Sequence, residues 1–210
     1  MEESRAETVA SFRNAVFLDV EVANEVFPPF SFSRAWELGI AVASTWSEKD
    51  LYVDWFRGES EALLKYLLGF ERVVGFNTVR FDYKVIDGDL AILRKMVATL
   101  EPQISRVPPI LEEALRGKTV DMLLDVFDAL GHRLALEAIS EGSIQRRKRM
   151  SGVNAPILWR MGKRLEVIEY CRDDVGLERD VYAYGVEHGL IRYVDRSFGI
   201  MERRISWRLR

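Results

Sequence analysis

The chain has 210 residues, 48% of them apolar and 30% charged, enough to bury a substantial core as one soluble globular domain. Its net charge of −3 excludes a protein that coats nucleic acid by bulk charge, while leaving room for a local basic groove. The single Cys171 excludes an internal disulfide, no apolar run nears the roughly 18 residues of a membrane span, and the start is too acidic and polar for a signal peptide, so a protein of the reducing cytoplasm is expected.

Residues 1–14 read as a frayed or weakly helical lead-in. Ala15 to Val22 then forms an apolar run, Ala-Val-Phe-Leu-Asp-Val-Glu-Val, with the density of a buried strand. Side chains alternate along a strand, so Phe17, Asp19 and Glu21 share one face, and Val16, Leu18, Val20 and Val22 share the other. Two acids two residues apart on such a strand repel each other and lose hydration, which raises a pKa unless a cation is near. Either a divalent metal resolves the conflict, or the strand ends near Asp19 and both acids stand in water at its tip.

Asn24 to Ser33 holds Pro28 and Pro29 among Phe27, Phe30 and Phe32 and reads as an extended loop whose aromatics pack inward or stack on bases. Trp36 to Thr45 and Leu51 to Phe56 read as two further strands joined by a polar turn. Ser60 is a candidate N-cap for a helix with Leu63, Leu64, Leu67 and Leu68 at helical spacing. Val73 to Phe76 is the next strand, and the turn that begins at Asn77 delivers Asp82 to the start of a helix through Tyr83, Val85 and Ile86. Pro102 to Pro109 with Gly117 marks a loop region. Val120 to Leu130 and Leu134 to Ile139 read as two short helices broken at Gly131, His132 and Arg133, with His132 a turn residue.

Arg146, Arg147, Lys148 and Arg149 form the densest positive run in the chain, either a solvated loop or a contact for nucleic-acid phosphates. On the last long helix, roughly Leu165 to Gly185, 100° per residue puts Glu166, Glu169, Asp173 and Asp180 on a polar face, and Val167, Tyr170, Asp174 and Val181 on the inward one. Asp174 is thus an acid on an apolar stripe, one turn after Tyr170, while Asp173 is an ordinary surface acid.

Together, Asp19-Val-Glu21 on a strand, Asp82 beyond Gly-Phe-Asn, and Tyr170-Cys-Arg-Asp-Asp174 on a late helix resemble, in order and spacing, the three exonuclease motifs of the DEDD superfamily of 3′–5′ exonucleases. The resemblance spans about Val16 to Tyr182. Tyr at position 170, with Glu rather than His at 169, is similar to the DEDDy branch. Asp121-Met-Leu-Leu, Gly131-His-Arg-Leu-Ala-Leu and Ser151-Gly-Val-Asn-Ala resemble its bacterial stand-alone or helicase-linked nuclease domains. One departure is Val22, where the family usually has Thr after the Glu.

The resemblance implies a ribonuclease-H-like fold, an α/β mixed five-stranded sheet flanked by helices on both faces, as a single domain over residues 1–210. It implies metal-dependent 3′–5′ hydrolysis of single-stranded DNA or RNA that releases nucleoside 5′-monophosphates, with two Mg2+ or Mn2+ ions held by Asp19, Glu21, Asp82 and Asp174, and with Tyr170 orienting the attacking water. Asn77, Arg146, Arg147, Lys148 and Arg149 would bind nucleic acid, and a helicase or other nucleic-acid-processing protein would be the partner. Two rivals share the fold: a binding or assembly module that does not cut, and a structure-specific endonuclease.

Overall fold

The computed structural model describes residues 12–25, 32–90 and 108–210. The expectations for residues 1–11, for Phe27, Pro28, Pro29 and Phe30, and for most of the loop begun by Pro102 lie outside the described residues.

Five strands, β1 (Ala15–Val22), β2 (Ile40–Ser47), β3 (Leu51–Trp55), β4 (Arg72–Gly75) and β5 (Thr119–Asp121), form a sheet of order β3-β2-β1-β4-β5. The β1–β2 and β2–β3 pairs are antiparallel, while β1–β4 and β4–β5 are parallel. The expected mixed five-stranded sheet is therefore present. Central β1 has neighbours on both sides, which is why its sequence is nearly continuous in apolar residues.

The predicted alternation along β1 holds. Val16, Leu18, Val20 and Val22 pack into one core with Leu63 and Leu67 of α1 (Ser60–Leu68), with Tyr83, Val85 and Ile86 of α2 (Asp82–Asp89), and with Leu111 of α3 (Ile110–Ala114). Ala15 and Phe17 enter a second core with Val126 of α4 (Met122–Leu130), Ile139 of α5 (Leu136–Ile144), and Val175 and Val181. These last two belong to α7 (Arg164–His188), which follows the short α6 (Ala155–Arg160). Each fully buried side chain of this size contributes roughly 1.5–3 kcal/mol.

Several elements depart from the sequence expectation. The stretch from Trp36 does not begin a strand: Phe32–Glu37 is a 3-10 helix, and the chain turns at Gly39, φ +66°, before β2 starts at Ile40. Ser60 is the first residue of α1 and not its N-cap, which is Glu59. The Ser60 hydroxyl instead donates to Asp89 Oδ2 at 2.8 Å, an oxygen that also accepts from the Gly58 amide at 2.6 Å, so the acid comes from α2. Leu68, placed on the apolar stripe, is 42% exposed. Val120 and Asp121 lie in β5, and the following helix begins only at Met122, where Asp121 is its N-cap and accepts from Leu123 N at 3.1 Å. The helix expected from Leu134 starts at Leu136 and runs on to Ile144.

The last helix is found at Arg164–His188 and stops at Gly189, φ +63°, a left-handed position that suits glycine. A hairpin, β6 (Leu190–Asp195) and β7 (Gly199–Arg204), follows as a second, two-stranded sheet. Sequence reading did not anticipate it, although Ile191 and Tyr193 alternate with polar residues ahead of the Asp195-Arg-Ser-Phe-Gly turn. Among the described residues no helix is long and apolar enough to cross a membrane.

Candidate metal centre

Asp19 sits in the register Asp19↔Ser44, and Glu21 in Glu21↔Val42, immediately before a β-bulge that resets the pairing to Val22↔Ile40. The bulge leaves Glu21 where the regular ladder ends. Both acids point to the side of the sheet on which α7 lies. From that helix Tyr170 and Asp174 turn inward, 3% and 2% exposed, as the helical phase predicted, whereas Asp173 lies toward the rim and pairs with Arg149 at 2.7 Å. Arg172 fixes the helix on the sheet through Asp54, which accepts from its Nε at 3.0 Å.

Carboxylate oxygens of Asp19, Glu21 and Asp174 all lie within 4.8 Å of one another. Asp82 is outside that triad but beside it: its Oδ1 accepts from the Val20 amide of β1 at 3.1 Å, and the charge of Asp19 acts on it. The turn before it is held by Asp121, which accepts from Asn77 N at 2.9 Å and from Val79 N at 3.1 Å. At Gly75 the chain passes so close to Thr78 that a Cβ would meet Thr78 Oγ1 at 2.2 Å, so only glycine fits. Asn77 takes the left-handed conformation at φ +70°, and its Oδ1 accepts from Arg133 Nη2 at 2.6 Å.

The electrostatics show the conflict foreseen on β1. Burial first, then the Asp174 charge, pushes Asp19 up to about 7. Burial first, then Asp19, raises Glu21 well above the usual carboxylate range. Asp82 is raised by burial and by Asp19. Asp174 is raised by burial, and Lys148 opposes the shift. The alternative in which the acids stand in water at a strand tip is not what the chain adopts, since Glu21 is 6% exposed and strand pairing continues through it.

Lys148 is placed differently from its three basic neighbours. Its Nζ lies 2.5 Å from Asp174 Oδ2, and burial, which alone would lower its pKa, is outweighed by Asp174 and Asp19. Arg146 pairs with Asp180, Arg147 with Glu141 and Arg149 with Asp173, all nearer the surface.

Sequence reasoning missed three groups here. Cys171 directs its thiol at Asp19, 3.4 Å from both the carbonyl and Oδ2. Arg133 lies 5.8 Å over the Phe32 ring. Glu178, one turn beyond Asp174, is 2% exposed, and the helical phase that selected Tyr170 and Asp174 selects it too.

A cavity of about 440 Å³ opens over these acids, lined also by Val20, Val22, Phe81, Val153 and Ile157. It meets a wider groove of about 710 Å³ along Phe32, Asn77, Arg133, Arg149 and Ser151, with Phe76, Lys148 and Gly152 lining both. Among the described residues, Asp174 Oδ1 and Glu178 Oε2 are buried with no hydrogen-bond partner that meets the geometry, and so is Tyr170 Oη, although Tyr170 and Asp174 act on each other across the site. Buried oxygens without donors, on acids that repel one another, fit hard divalent cations such as Mg2+ or Mn2+.

No family model matches the chain, and no curated protein matches it. Among solved structures it is similar to the family B DNA polymerase from the hyperthermophilic archaeon Pyrobaculum calidifontis, with a TM-score of 0.54 and 16% sequence identity over 81% of this chain. The chain spans 24% of that polymerase's length. The likeness is one of fold, and the architecture is ribonuclease-H-like.

Proposed function

We propose that the protein is a metal-dependent 3′–5′ exonuclease that hydrolyses single-stranded DNA or RNA from the 3′ end and releases nucleoside 5′-monophosphates. The observation that carries this reading is the meeting of Asp19, Glu21 and Asp174 within 4.8 Å, with Asp82 behind them and the buried Tyr170 hydroxyl beside them.

Two divalent ions bound by these acids would make a water nucleophilic near neutral pH and stabilise the leaving oxygen. The protein's part is to hold the reactants. Asp19, Glu21 and Asp174 supply oxygen ligands, and Asp82, anchored on the Val20 amide, completes the set. The Tyr170 hydroxyl is a neutral donor and acceptor, because burial first, then Asp174, keeps its pKa far above the ordinary tyrosine value, and it orients the attacking water.

The 440 Å³ cavity takes the terminal nucleotide, with acids at one end and Val20, Val22, Phe81, Val153 and Ile157 around the rest. Val22, at the position of the family's Thr, adds apolar wall there. The open groove then carries the preceding strand, with Arg133 and Arg149 for phosphates and Phe32 for a base. The test is incubation of 5′-labelled single-stranded DNA and RNA with Mn2+ and with a chelator. Stepwise shortening only with the metal supports the reading, and an intact substrate under both conditions favours the module that does not cut.

A further inference from the structure

Glu178 belongs to none of the motifs that suggested a nuclease, yet it is as deeply buried as Asp174, at 2% exposed. Four residues separate the two on α7, so they project from the same face. Oε1 accepts from the Phe76 amide at 3.1 Å, which joins α7 to the loop leading into Asp82. Oε2 is buried and has no hydrogen-bond partner among the described residues. Burial first, then the charges of Asp19, Asp82 and Asp174, raises its pKa well above the usual carboxylate range.

Holding one amide does not require a carboxylate, since a glutamine oxygen accepts equally well, and burying a charge costs several kcal/mol more than burying an amide. A buried group that can ionise, in a place where an amide would serve, is therefore the feature to explain. Among the described residues, Glu178 brings the carboxylates of the centre to five beside the Lys148 ammonium; fully ionised, as bound cations would hold them, they leave four negative charges, the number that two divalent cations neutralise. Glu178 is not part of the group whose oxygens approach within 4.8 Å of one another, so it stands behind the ligands.

We infer that Glu178 is a positioning residue of the metal centre, one that holds the Phe76 loop with one oxygen and supplies with the other the charge that lets the site keep a second divalent cation. This rests on the metal-centre reading above. Residues behind the direct ligands change metal affinity by about 10- to 100-fold when replaced.

Calorimetric titration of the full chain with Mn2+ tests the inference, alongside thermal unfolding in chelator. Glu178→Gln keeps an acceptor for Phe76 and removes the charge; it is expected to fold, to be at least as stable without metal, and to bind the weaker Mn2+ equivalent about 10- to 100-fold less tightly. Glu178→Leu, which removes the buried orphan oxygen altogether, is expected to show the same loss and carries the test if the Gln variant does not fold. Glu169→Gln, the same change at an exposed position of the same helix, is expected to bind as the parent does. Parent-like Mn2+ affinity in a folded Gln or Leu variant, with Asp19→Asn abolishing binding, overturns the role of Glu178 alone. If the parent chain binds no Mn2+, both this role and the metal-centre reading fall.

Discussion

Lys148 and Asp174 form a close ion pair at 2.5 Å inside the acid cluster, so an ammonium of the protein's own basic run stands where a divalent cation would be attracted. Its partner has a side chain only 3% exposed, while Lys148 keeps 26%. Breaking a fully buried pair costs roughly 3–5 kcal/mol, and the solvent that reaches Lys148 reduces this to about 2. Lys148→Met should therefore destabilise the metal-free protein by about 2 kcal/mol at pH 8. Arg147→Ala, which removes an exposed pair with Glu141, should cost under about 1 kcal/mol. Denaturant titrations in chelator measure both, and equal effects would mean that Lys148 is only a surface cation.

The raised Asp19 carboxyl gives the metal-free protein a pH dependence. A folded-state value of about 7 against an ordinary 3.8 means that the folded chain binds the proton more tightly than the unfolded chain. That contribution is fully present below about pH 4 and is lost as pH rises toward and through about 7. Asp87, raised to about 7 mainly by burial, acts in the same direction and is common to both proteins, so the comparison with Asp19→Asn reads Asp19 together with Glu21, Asp82 and Glu178, which its charge helps to raise. The parent should lose more melting temperature than Asp19→Asn between pH 5 and 8, and Mn2+ should restore the loss only in the parent. Parallel pH profiles in chelator would remove the repelling cluster from the account.

Around the site, the fold was legible in regular apolar spacing. The alternation in Ala15 to Val22 and the inward stripe of Val167, Tyr170, Asp174 and Val181 both survived in detail, because a buried strand or helix face leaves little freedom. What the sequence hid was settled by partners far along the chain. The hydroxyl of Ser60 serves Asp89, 29 residues away, so a local capping signal misled. Within the basic run, nothing in the order Arg-Arg-Lys-Arg marks the third position as the least exposed one; only the packing of this loop on α7 decides it. Glu178 was readable from helical phase, one turn beyond Asp174 on the same inward stripe.

Neighbouring acids on α7 should separate in function. Asp174→Asn is expected to remove most of the nuclease activity, and Asp173→Asn, whose carboxylate meets Arg149 at the rim, should change it less than about threefold. Single-turnover rates with saturating Mn2+ check this. Similar losses in the two variants would place the reacting groups elsewhere.

Tyr170→Phe keeps the ring packed beside Ala41, Val42 and Ala155 and removes only the hydroxyl. If that hydroxyl positions the attacking water, turnover should fall by roughly ten- to a thousandfold while the affinity for single strand stays within a few fold. A variant with unchanged turnover would make Tyr170 a packing residue.

The central claim is that the acid cluster acts on a strand end. The most direct measurement follows, with Mn2+ present, a 5′-labelled single strand with a free 3′ end, the same strand blocked there by phosphorothioate linkages, and a closed circular single strand. The account predicts a ladder that shortens from the free 3′ end, stalls at the block and leaves the circle intact. Cutting of the circle at a rate comparable to that of the linear strand would contradict it and point to an endonuclease on the same fold.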